Sequence, residues 1–186
     1  MKTEETKLQS ETKRFVLRPL QNWDYEQWLE GFRRRLPSQH KYDDVKMDLS
    51  GWTQEKFHDV VTKHHRLAEQ DKAYVFGIFR KSDGNHIGKV EICTIMRDEF
   101  QWGLLGYTIH NQYWRRGYGK EAVQEALNIA FKTLHFHRIE SHINVDNMPS
   151  IKLAESVGME FECNRKKFIF EFREWTDNLV YSINAR

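Results

Sequence analysis

Between residues 100 and 145 the apolar residues change period twice, and this double change restricts the fold more than any other feature of the chain. Phe100 to Ile109 reads as a strand. Ala122, Val123, Ala126, Leu127, Ala130, Phe131 and Leu134 then recur at helical spacing, and Arg138 to Val145 reads as a strand again. Gly117-Tyr118-Gly119 stands at the first change. A strand, a Gly-rich turn, a helix and a second strand form a βαβ unit, which predicts parallel strands joined by a right-handed crossover.

The flanking segments read differently. Arg14 to Leu17 is a short strand stopped by Pro19. Asp24 to Leu36 is a helix with Trp28, Leu29 and Phe32 on one face, and a second helix runs from about Thr53 to Glu69. Ala73 to Phe79 and His86 to Ile95 are strands joined by the turn cluster Ser82-Asp83-Gly84-Asn85, so an antiparallel meander precedes the βαβ unit. After it come a short helix from Pro149 to Val157, ended by Gly158, and a closing hairpin of Phe161 to Phe172 and Asn178 to Ile183. The fold class is α/β (α+β), with a mixed, mostly antiparallel sheet of seven strands. Residues 37–51 follow no pattern.

A length of 186 residues fits one domain, 1–186, with 1–13 expected as a flexible polar tail. With 39% hydrophobic and 30% charged residues, the chain is of the soluble globular class; a net charge of +2 is too small to argue anything about partners, and no nucleic-acid partner is expected. Arg33, Arg34 and Arg35 read as charge complementing a helix end. Cys93 and Cys163 form no ligand pattern, so neither a zinc site nor another metal site is expected. The polar start lacks an apolar leader and no run approaches the roughly 18 apolar residues of a membrane span, which predicts a cytoplasmic protein without a membrane partner.

The turn Trp114-Arg115-Arg116-Gly117-Tyr118-Gly119-Lys120 aims backbone N–H groups and the positive end of a helix at whatever lies before it, an arrangement suited to phosphate or pyrophosphate. Arg115, Arg116 and Lys120 add charge that reaches phosphate oxygens. Gly117 to Ala122 also fits the GxGxxA dinucleotide fingerprint. That fingerprint opens a Rossmann fold, however, whereas here three antiparallel strands precede it and too little chain follows.

The stretch from Leu105 through Gly106-Tyr107, Tyr113-Trp114 and Gly117-Tyr118-Gly119 to Glu121-Ala122 resembles the signature of RimJ/RimL-like GNAT N-acetyltransferases. Phe15 to Leu20, Val145-Asp146-Asn147 with Ser150 and Gly158, and Trp175 to Ser182 are similar to further motifs of that group, in the same order. The resemblance implies a GNAT fold whose sheet splays between the strands ending at Ile109 and beginning at Arg138. Acetyl-CoA would enter that wedge as co-substrate, along Tyr107, Thr108 and Ile109 and with its pyrophosphate on residues 115 to 120. The implied partners are acetyl-CoA and an amine acceptor, and a homodimer is left open.

Two groups common in the family are missing, since Leu104 stands where many members carry glutamate and Ala154 where others carry tyrosine. The candidates that remain are Asn147 and Ser150 for the leaving thiolate, the N–H near Ile109 for the oxyanion, and Glu91 as a base acting through water. Each has a plain alternative: Asn147, which the resemblance also makes a cofactor contact, as a helix cap, Ser150 as a cap-region hydroxyl, Glu91 as a solvent-facing strand residue. The expected reaction is acetyl transfer to a primary amine of a protein N-terminus or small molecule. An acyl-CoA-binding module without efficient catalysis is the alternative.

Overall fold

In the computed structural model, which describes residues 8–186, the chain runs β1 (Ser10–Glu11), β2 (Phe15–Arg18), α1 (Tyr25–Arg33), α2 (Gln54–Glu69), β3 (Ala73–Arg80), β4 (His86–Met96), β5 (Trp102–Ile109), α3 (Tyr118–Asn128), β6 (Arg138–Asn144), α4 (Met148–Ser156), β7 (Glu160–Glu171) and β8 (Glu174–Asn184). One sheet holds all the strands in the order β1-β2-β3-β4-β5-β6-β8-β7. Neighbours are antiparallel except β5 and β6, the two strands of the βαβ unit.

Strand alternation sends residues to two cores. Phe15 and Leu17 of β2, Phe76 and Ile78 of β3, and Val90 and Ile92 of β4 pack toward α3 and α4. On that side Ala122, Val123, Ala126 and Leu127 form the buried stripe of α3, where each full burial of a Val or Leu side chain contributes about 1.5–3 kcal/mol. The opposite face carries Phe79 against Trp28 and Leu29 of α1 and Phe57 and Val61 of α2. The sheet is thus the middle of three layers.

The helix starts follow their capping residues. The Thr53 side chain accepts from the Lys56 N–H at the head of α2, and the Asn147 side chain does so from the Ser150 N–H at the head of α4. Gly158 takes φ +87° just past α4, the left-handed position that ends a helix.

Three expectations are corrected. The sheet has eight strands, because Ser10–Glu11 pairs with β2 inside what reads as tail. Thr12 and Ser10 there also donate to Glu121 and Glu125 of α3; residues 1–7 of that tail lie outside the described residues. Helix α1 stops at Arg33 instead of Leu36, since Arg35 turns inward to Asp43 and the Leu36 N–H donates to Asn111 Oδ1 at 2.8 Å. The last turn of the α3 helix, Ile129–Thr133, is a π-turn.

Candidate active site

Strands β5 and β6 pair only at Trp102 with Arg138, Gly103 with Ile139 and Leu104 with Glu140, and beyond that they part. The Ser141 hydroxyl makes the last crossing, donating to the Leu105 carbonyl at 3.0 Å. On the other side of β5 the His110 N–H donates to Ile87 of β4 at 2.9 Å. Backbone direction alternates along a strand, so Leu105, Tyr107 and Ile109 turn their amides and carbonyls into the wedge while Gly106 and Thr108 turn theirs to β4. The Ile109 carbonyl takes the Trp114 indole N–H at 2.6 Å. The Tyr107 amide and carbonyl and the Ile109 N–H remain facing the gap, a half-strand ready for an extended partner.

A cavity of about 720 Å³ opens there, lined by Tyr107, Thr108, Ile109, Arg115, Gly117, Tyr118, Gly119, Lys120, Asn147 and Ser150 among others. Every residue proposed from the sequence for cofactor contact lines this cavity except Arg116, but the Thr108 backbone, expected to pair with the cofactor, is engaged by β4 instead. Arg115 and Gly117 both have left-handed backbone, φ +60° and +71°, which curls the turn so that the first amides of α3 point outward. At Gly119 a Cβ would stand 3.3 Å from Leu153, so the helix start packs closely on α4.

Arg14 fixes this turn, and sequence reasoning missed it. Its guanidinium donates to the carbonyls of Arg116 and Gly117 at 2.9 and 3.2 Å and pairs with Glu121 at 2.5 Å. Glu121, an acid in the first turn of α3, was the available sign of it.

The unpatterned segment after α1 forms the other wall. Leu36, Gln39, His40, Tyr42, Asp43 and Asp44 all line the cavity. The His40 ring stacks on Trp114 at 5.2 Å, and Tyr42 and Lys41 bond Asp146 in the turn before α4. Beneath them Asp43 is buried, held by Arg35 at 2.5 Å, by Asn111 Nδ2 at 2.9 Å and by the Gln39 N–H at 2.9 Å. The three arginines 33–35 consequently form no basic face: Arg33 and Arg34 pair with Glu30 and Arg35 lies inside.

Glu91 is not brought to this cavity. It pairs with Lys89 at 2.7 Å and lies beside Gly106, on the side of the sheet where His64 of α2 stands. A second cavity of about 80 Å³ lies on that side, lined by Trp28, Phe32, Asp44, His64, His86, Lys89, Thr108 and His110 among others. Burial holds the imidazoles of His64 and His86 down to about 4 and that of His110 down to about 2. Burial also pushes the Tyr107 phenol up, and its hydroxyl donates to the Ser150 carbonyl at 3.3 Å.

Residues 14–160 match the family model described as an acetyltransferase (GNAT) domain. The chain belongs to the GNAT acetyltransferase family. Among relatives of this acetyltransferase, YjcK of Bacillus subtilis, named a probable N-acetyltransferase, is 32% identical over 123 residues, covering 66% of this chain and 68% of YjcK. The ribosomal protein uS5-alanine N-acetyltransferase of Escherichia coli is 26% identical over 136 residues, 73% of this chain and 68% of that enzyme. RimJ of Mycobacterium smegmatis, solved in complex with a CoA-disulfide, shares the fold with a TM-score of 0.75 at 21% identity, over 92% of this chain and 82% of that one. The family uses acetyl-CoA. Among the described residues, no helix is long and apolar enough to cross a membrane.

Proposed function

We propose that this chain, as a single acetyltransferase domain, transfers acetyl from acetyl-CoA to a free α-amino group or another amine of low pKa. The observation that carries the reading is the parted β5 edge facing the start of α3. A half-strand with unpaired amides, ending at a helix N-terminus, suits a ligand with an amide-bearing arm and a pyrophosphate. The Tyr107 amide and carbonyl would hold the arm, with Ile109 at its thioester end, and Arg115, Lys120 and the amides of residues 118–120 the phosphates. The thioester supplies an activated acyl group whose leaving thiol has a pKa of about 8.5. The Ile109 N–H would meet the charge that develops on the carbonyl oxygen, and the Ser150 hydroxyl would donate toward sulfur.

The acceptor follows from what the site lacks. Neither Leu104 nor Ala154 can move a proton, and the Glu91 carboxylate is engaged by Lys89 outside the large cavity. A lysine amine of pKa about 10.4 is neutral in only about 0.1% of molecules near pH 7.4, against roughly 20 to 30% for an α-amine of about 7.7 to 8.0. The easier substrate without a strong base is the one that arrives partly deprotonated. Relatives named for acetylating ribosomal-protein alanine support this choice.

The test pairs a peptide with a free N-terminus and no lysine with an N-terminally blocked peptide bearing one lysine, following thiol release. The free N-terminus should react faster by at least about tenfold. Faster acetylation of the lysine peptide would overturn the preference, and no release with either would favour a binding module.

A further inference from the structure

Asp44 is the one carboxylate that lines both cavities, the large one holding Tyr107, Ile109 and Ser150 and the small one behind Thr108. Its neighbour Asp43 takes the short contact to Arg35, at 2.5 Å, with further bonds from Asn111 and Gln39. Asp44 receives only a 3.2 Å contact from the same guanidinium, and its side chain is 65% exposed. One cation shared by two carboxylates leaves a surplus negative charge, and burial of Asp43 puts that surplus on Asp44. The cavity is thereby polarised: Arg115, Lys120 and Lys152 line it from the turn before α3, from α3 and from α4, whereas Asp43 and Asp44 line it from the loop.

A second group in the small cavity also suits a cation. His110 is 1% exposed and its Nδ1 has no partner among the described residues. Its Nε2 lies 3.3 Å from His86 Nδ1. An orphaned buried N–H is costlier than an unfilled lone pair, which assigns the proton to His110 Nε2 and leaves Nδ1 an acceptor. The other charge there, Lys89, is paired with Glu91. An ammonium brings three donors and no acceptor, so a carboxylate and an imidazole lone pair complement it.

We infer that Asp44 draws the acceptor in as its ammonium at the junction of the two cavities, beside Thr108; the amine attacks only after passing its proton to solvent, which an α-ammonium of pKa about 7.7 to 8.0 does readily and a lysine ammonium of about 10.4 does not. This rests on the reading of the chain as an amine acetyltransferase. It adds that the loop after α1, and not the sheet, supplies the acceptor's counter-charge.

The experiment compares Asp44→Asn and Asp44→Glu with the wild type on two acceptors: a peptide with a free N-terminus and an arylamine that is uncharged at neutral pH. Asp44→Asn should raise the peptide KM by about tenfold or more while the arylamine and acetyl-CoA KM values stay within about twofold, and Asp44→Glu should restore most of the peptide affinity. An unchanged peptide KM overturns the assignment. So does an equal loss for both acceptors, which would mean that Asp44 only shapes the loop. Calorimetric titration of the peptide into CoA-saturated protein gives the same comparison without turnover. If the wild type acetylates neither amine, the enzymatic reading itself falls.

Discussion

The Asn147 side chain accepts a bond from the Ser150 N–H at 3.4 Å, whereas the Ser150 hydroxyl meets only the Tyr107 side chain among the described residues and lines the wedge. Two residues that the sequence offers as interchangeable caps or thiolate donors are thus separable. Asn147→Ala should lower stability by about 0.5–2 kcal/mol through loss of the cap. Ser150→Ala should cost less, about 0.5 kcal/mol, since the Tyr107 hydroxyl keeps the backbone carbonyl of residue 150 as its partner. If the hydroxyl meets sulfur as charge develops, the Ser150 variant loses kcat while its affinity for acetyl-CoA is kept. Urea melts beside steady-state kinetics check both, and full turnover in Ser150→Ala would leave the thiolate to solvent.

At the scale of elements, the segment 34–52 behaves as one strap, tied below by Arg35, Asp43 and Asn111 and above by His40 on Trp114 and Tyr42 on Asp146. Asp43→Asn takes the buried charge partner from Arg35 and leaves it only the 3.2 Å contact with exposed Asp44, and should cost about 3 kcal/mol. Amide exchange over residues 37–52 should accelerate, while β5 and α3 stay protected. Uniform acceleration across the chain would show that the strap is part of the global fold instead. This segment is also where the sequence was silent. The βαβ unit was legible because its periods and the Gly117 turn are local, and the anion-suited turn 115–120 followed from them, whereas the wedge-lining residues 107–109 were implied by the resemblance to the family's motifs. Strap contacts join single side chains far apart in the chain, as Leu36 and Asn111 are, and no period records such a pairing. The Arg14 clamp on the α3 turn was hidden in the same way. Glu91 was legible as a strand carboxylate, but which side of the cavity wall it faces depends on where β5 and β6 part.

Across the whole molecule, three imidazoles from separate elements, His64 of α2, His86 of β4 and His110 just after β5, lie around one cavity between the sheet and the α1–α2 layer. Burial is the leading cause of all three depressions, to about 4 for His64 and His86 and to about 2 for His110, where proximity to His86 adds to it. In the unfolded chain each takes a proton near the ordinary histidine value of about 6.5. The folded state therefore binds fewer protons than the unfolded state from about pH 6.5 down to about 4, so this stability is fully present above that upper limit and is lost as pH falls. Each proton taken up in excess by the unfolded chain steepens the loss by about 1.4 kcal/mol per pH unit. Asp71 and Asp83, held below the carboxylate range by bonds from Arg97 and Arg80, add their own loss only below about pH 4, where unfolded carboxylates titrate. Urea melts from pH 8 to about pH 4.5 should thus show stability flat at first, then falling once the histidines begin to titrate and before the carboxylates do. His86→Leu, which removes one of the three, should make the fall shallower even if it lowers stability overall. A profile that stays flat down to about pH 4.5 would mean that these imidazoles meet solvent in the folded state, and that the layer over the cavity opens.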